Sequence, residues 1–205
     1  MFRTFALLAL ISSSVAMADA DAKFAQLRDQ AEAVGSLGAF LEKFVGNCDS
    51  ILQGGGDCQK AADTYRKGAI GKKFYMIILE TDANMLSMGP YNPNGDQFTI
   101  NLTPFFPGSN SALTLGSPTK TDSNGNPLMA FLPITASIPQ GGNVSEITRA
   151  ISSRQFRIQL VFSPQGLWHL PKKGGGKSTG VAARIDAILI TFGRTGLKVA
   201  TWYPK

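Results

Sequence analysis

One histidine, two cysteines and 14 acidic residues are the groups from which this 205-residue chain could build a reactive centre. His169 stands between Trp168 and Leu170. A serine-histidine-aspartate arrangement would have to use it, but no G-x-S-x-G turn presents a nucleophile. The setting reads as a half-buried structural imidazole. Cys48 and Cys58 are too far apart for a C-x-x-C redox pair, and no histidine lies near them to complete a metal set. A structural disulfide is the expectation for these two. Glu80 and Asp186 are the carboxylates that could serve as an acid and base pair in glycoside cleavage. Asp186 is next but one to Arg184, and an ion pair on the solvent face of an edge strand explains the same residues.

Gly176-Lys177-Ser178 invites comparison with a phosphate loop. That motif needs a glycine five residues earlier, where Pro171 stands, and a helix afterwards, where Val181 to Phe192 is an apolar strand-like run. No nucleotide is expected. Glycine-rich backbone with Lys172, Lys173 and Lys177 is instead a candidate anion-binding loop. Asp122-Ser123-Asn124-Gly125-Asn126 begins like a calcium loop but has Pro133 where the closing glutamate belongs. No metal and no cofactor are expected. Met85, Met88, Tyr91, Phe105 and Phe106 fall in predicted loops and form a candidate partner or ligand patch. Covering the open end of a sheet would account for them equally.

The elements that must hold these residues change character along the chain. Residues 1–18 combine Arg3, an apolar run from Phe5 to Ile11 and Ala16-Met17-Ala18, the pattern of a signal peptide cleaved after Ala18. The apolar run is shorter than the ~20 residues a membrane-spanning helix needs. No transmembrane segment is expected in the mature chain, which would be periplasmic or extracellular. An oxidising compartment is consistent with a Cys48–Cys58 bond. The net charge of +6 suits an anionic partner, and export argues against nucleic acid as that partner.

Residues 19–72 carry apolar side chains at helical spacing: Phe24, Leu27, Ala31, Val34, Leu37, Leu41 and Phe44. Gly35 and Gly38 predict a kink or a break, and Asp57 caps a second helix. Together these predict a helical hairpin stapled by the disulfide. From Lys73 the period becomes that of strands. Phe74–Leu79, Gln97–Thr103, Leu128–Ile138, Arg154–Phe162, Val181–Phe192 and Leu197–Trp202 are predicted strands. Pro133 argues for an edge or a bulge. Asn143 followed by Glu146 opens a short helix near 144–152.

The fold class predicted is α+β. An N-terminal helical hairpin packs on a mostly antiparallel sheet of about five to seven strands, sandwich-like or a half-barrel, in one domain spanning 19–72 and 73–205. The expected function is a non-catalytic binding or interaction module of the cell envelope or secretome, with some preference for anionic partners. A secreted hydrolase using Glu80 and Asp186, and a structural envelope component, are the other readings.

Overall fold

The computed structural model describes residues 21–46, 55–79, 85–92, 97–121, 127–138, 143–172 and 175–205. The expected leader at 1–18, Cys48, Glu80, Lys173 and the turn 122–126 lie outside them. In chain order the described elements begin with helix α1 over 21–29, strand β1 (Glu32–Ala33) and helix α2 (Leu37–Leu41), which runs into a π-helical turn (Glu42–Gly46). Helix α3 (Gly55–Ala69) follows, then strands β2 (Phe74–Leu79), β3 (Leu86–Asn92), β4 (Gln97–Leu102), β5 (Phe105–Pro107), β6 (Ser111–Leu115) and β7 (Leu132–Ser137). Helix α4 (Val144–Ser152) precedes β8 (Phe156–Pro171), β9 (Lys177–Phe192) and β10 (Lys198–Trp202).

The architecture is α+β and its pairing is mostly antiparallel, but the strands form two sheets. The larger has seven strands in the order β1-β2-β8-β9-β6-β5, with β10 also on β9. The smaller is β3-β4-β7. Phe98, Ile100, Leu102, Ile134 and Ala136 of the small sheet share one buried cluster with Ile158, Leu160, Ile188 and Ile190 of the large one. The molecule is therefore a sandwich whose inner faces supply alternate residues to a common core. Pro133 lies in β7, an edge strand, where its missing N–H removes no ladder bond that the sheet needs. Among the described strands, β1 pairs with β2 and β6 with β9 in parallel.

The β8–β9 ribbon is the spine of the large sheet. One edge of β9 pairs with β8 along its length. The other takes β6 along 179–183 and β10 along 188–191. The register shifts twice, leaving Asp186 as the extra residue on β9 and Gln165 as the extra residue on β8. Each bulge exchanges inside for outside. Val181, Ala183 and Ile185 enter the main core before Asp186, and Ile188 and Ile190 enter it afterwards. The odd positions beyond the bulge face the other side, where Ala187 is buried. A strand of this length with strict alternation could not curve to serve two neighbours on one edge; bulges bend and twist it.

The N-terminal segment departs from the single helical hairpin that apolar spacing predicts. The chain leaves α1 at Gln30, and Glu32 N–H and Val34 N–H donate to the carbonyls of Lys73 and Tyr75 at 2.9 and 2.8 Å. Ser36 then caps α2 by accepting from Ala39 N–H. The short β1 carries the chain around the edge of β2. Phe24 of α1 packs on Val161 and Ala187, on the outer face, whereas Phe40 and Leu41 of α2 enter the main core on the inner face. The helices that do pair are α2 with its π-helical turn and α3. Arg66 of α3 donates to the carbonyl of Phe44 at 2.8 Å, satisfying an end that the helix leaves open. Phe40 sits against Phe44, Phe74 and Phe162, with centroid distances of 5.5, 5.3 and 5.2 Å. The outer face keeps Tyr75, whose hydroxyl donates to Gln159 at 2.7 Å. Burial raises that phenol above its ordinary range, more than the nearby Arg28 and Arg157 lower it.

Candidate functional site

The inner face of the large sheet continues past the core towards the β8–β9 hairpin end, and its chemistry changes in one step. Leu167, Val181 and Leu113 occupy one rung across β8, β9 and β6. The next rung of the same parity is His169, Thr179 and Ser111. His169 Nδ1 and Thr179 Oγ1 are hydrogen-bonded at 2.9 Å. One rung further lie Pro171 and Lys177, roughly 7 Å along the strand. An apolar surface thus ends in a polar row and then a cation.

Here a cleft of about 900 Å³ opens, within the size range of small-ligand sites. The π-helical turn contributes Val45 and Gly46, and α3 contributes Gln59. The β5–β6 turn contributes Ser109 and Asn110. Lys172 and Lys177 supply the charge at the mouth, and no carboxylate is among the described residues that line it.

The wall is held by a close packing that requires glycine. Trp168 lies directly across from Gly180 in the ladder, and a Cβ at position 180 would stand 2.2 Å from the indole and 2.4 Å from the carbonyl oxygen of Ala112. With Leu170, Ala112, Ala182 and Phe105, the indole forms a small second apolar cluster. The Trp168 indole N–H is buried and has no acceptor among the described residues.

The residues singled out from sequence are distributed as follows. His169 is exposed and in a strand, because β8 runs on to Pro171 and β9 starts at Lys177. The glycine-rich loop is accordingly short, and Lys177 begins a strand rather than a phosphate-binding helix. Lys172 and Lys177 come together at the cleft, and Phe105 lines it too. The other members of the apolar patch do not join it as a surface. Met85 and Phe106 are buried in the main core, and Met88 packs against that core. Phe106 sits in β5 and Met88 in β3, so strand alternation turns them inward. Tyr91 is the exposed one, at 40 %.

Asp186 accepts from Arg184 Nε at 2.9 Å and from Ser163 Oγ at 2.7 Å. The ion pair is as expected, but β9 is a central strand and not an edge. This carboxylate ties together the bulge that it creates, bonded to one side chain on its own strand and one on β8. Ser109, Asn110, Ser111 and Gln59 are cleft residues that sequence reasoning passes over. Ala112 to Leu115 reads from sequence as a candidate short strand, but nothing local signals a parallel pairing with β9.

Fold and cleft together define a two-sheet α+β protein with a basic, hydroxyl-rich cleft at one end of its core. The whole chain, residues 1–205, matches the family of unknown function DUF6066, and the protein belongs to that family. No curated protein and no solved structure matches the chain.

Proposed function

We propose that the protein is an exported, non-catalytic binding module of the cell envelope or secretome, and that its cleft takes an anionic ligand. The observation that carries this reading is the convergence of Lys172 and Lys177 on a ligand-sized cleft with no lining carboxylate among the described residues. Two cations beside neutral donors favour a negative group there. Lys173, adjacent to Lys172 in the sequence, belongs to the same reading. His169 Nδ1 is bonded to Thr179 Oγ1, so among the described lining residues its partner is a hydroxyl rather than the carboxylate that orients a catalytic base. That favours binding over turnover.

Charge reversal tests the site. Charge-assisted hydrogen bonds contribute roughly 1.5–3 kcal/mol each, so Lys172→Glu with Lys177→Glu should weaken binding of a heparin fragment by at least about a hundredfold. Trp168 in the wall makes intrinsic fluorescence a direct readout. Unchanged affinity in a folded double variant would sink the cleft as the anion site.

Export and the disulfide belong to the same proposal. The leader at 1–18 would be removed after Ala18, and Cys48 would pair with Cys58. Mass spectrometry of protein recovered from its producing cells, alkylated without reduction, should show an N-terminus at Asp19 and no labelled thiol. Reduction should lower stability by roughly 2–3 kcal/mol. Two labelled cysteines in protein that keeps Met1 would overturn both points.

A further inference from the structure

We infer that the ligand of this cleft is an anionic saccharide, a sugar unit bearing a carboxylate or a phosphate. The inference rests on the anion-binding reading above and specifies what accompanies the charge. The cleft is not a uniform cationic groove: its two described lysines are both at the hairpin end. Away from them, the surface is built from neutral side chains that donate and accept hydrogen bonds. Thr179 and Ser111 occupy one rung across β9 and β6, and Ser109, Asn110 and Gln59 stand on the β5–β6 turn and α3.

Such a lining pairs with a ligand carrying many hydroxyls and few charges. Nucleic acid or acidic peptide would set a charge at every unit beside Thr179, Ser111, Ser109, Asn110 and Gln59, whose neutral groups match hydroxyls instead. A lipid tail calls for an apolar channel, since unpaired hydroxyls are costly to desolvate against it. Apolar side chains also line the cleft, Val45 and Leu167 beside the Thr179–Ser111 row and Phe105, Ala112 and Trp168 on the opposite face of the strands, so among the described residues neither face presents the long apolar wall that a tail requires. The rung spacing fits as well: roughly 7 Å separates the Thr179 and Lys177 positions along β9, about the span of one pyranose from a ring hydroxyl to an exocyclic charged group.

The full chain is titrated, with intrinsic fluorescence and calorimetry, against four probes: a uronic-acid disaccharide, glucose 6-phosphate, an uncharged disaccharide and inorganic phosphate. One of the two charged sugars is expected to bind at least about tenfold more tightly than both the uncharged sugar and inorganic phosphate. Whichever binds better identifies the charged group as carboxylate or phosphate. Thr179→Val with Ser111→Ala should reduce charged-sugar binding by about tenfold while leaving inorganic phosphate unchanged. Lys177→Gln should weaken both. If inorganic phosphate binds as tightly as either charged sugar, the saccharide inference falls and the anion site stands. If none of the four probes binds and heparin fragments fail too, both readings fall. The wild-type comparison decides the matter even where a variant does not fold.

Discussion

Gly180→Ala is expected to cost about 3 kcal/mol or more, lowering the melting temperature by roughly 6–12 °C. The added methyl would stand 2.2 Å from Trp168 Cζ2 and 2.4 Å from the carbonyl oxygen of Ala112. The indole could swing away, but Ala112 is backbone in the parallel β6–β9 pairing and cannot move without opening the ladder. Trp168 emission should shift to the red as the ring leaves its cluster. Gly68→Ala is the matched control. Gly68 lies in α3 with nothing within 4 Å of the new Cβ, and alanine there should stabilise by roughly 0.5–1 kcal/mol. Thermal melts of the two variants should move in opposite directions. An unshifted melt for Gly180→Ala would mean that Trp168 does not lie over this strand.

Phe162→Ala is the second large effect, expected to cost about 3–5 kcal/mol in urea unfolding. Phe162 is fully buried. Its ring meets Phe40 edge-on at 5.2 Å and Phe74 at 5.8 Å. It thus joins α2, β2 and β8 at the point where the β9 bulge begins. Removal leaves a cavity walled by aromatic rings on separate elements, which cannot collapse together without breaking strand register. Phe162→Leu should recover more than half of the loss. A cost below about 1 kcal/mol for the alanine variant would show that α2 does not pack on this sheet.

Much of the local structure was legible in the letters. The alternation of Phe98, Ile100 and Leu102 marks β4, and all three are buried. Pro133 marks an edge strand, and Asn143 with Glu146 marks the start of α4. Lys172, Lys173 and Lys177 stand out in the letters as a basic, glycine-rich stretch, and two of them, Lys172 and Lys177, line the cleft. The N-terminal helical spacing misled. Ala31 and Val34 are apolar at a helical interval, but the chain between α1 and α2 is claimed by the free edge of β2. Backbone hydrogen bonding to a distant strand overrides a weak local preference.

The sequence by itself determined the class of most segments, because side-chain period is a property of near neighbours: mostly helical before Phe74, mostly pleated afterwards with a helix at Val144–Ser152, basic and glycine-rich at 172–177. Tertiary structure alone decided which face each segment shows and what stands beside it. The bulges at Gln165 and Asp186 reverse the parity of buried positions within one strand, and β6 joins β9 across more than sixty residues of intervening chain. Both outcomes are set by packing between distant elements, so no window of adjacent residues contains them. The β6–β9 pairing brings Ser111 beside Thr179, and Gln59 of α3 lines the same cleft from a distant part of the chain.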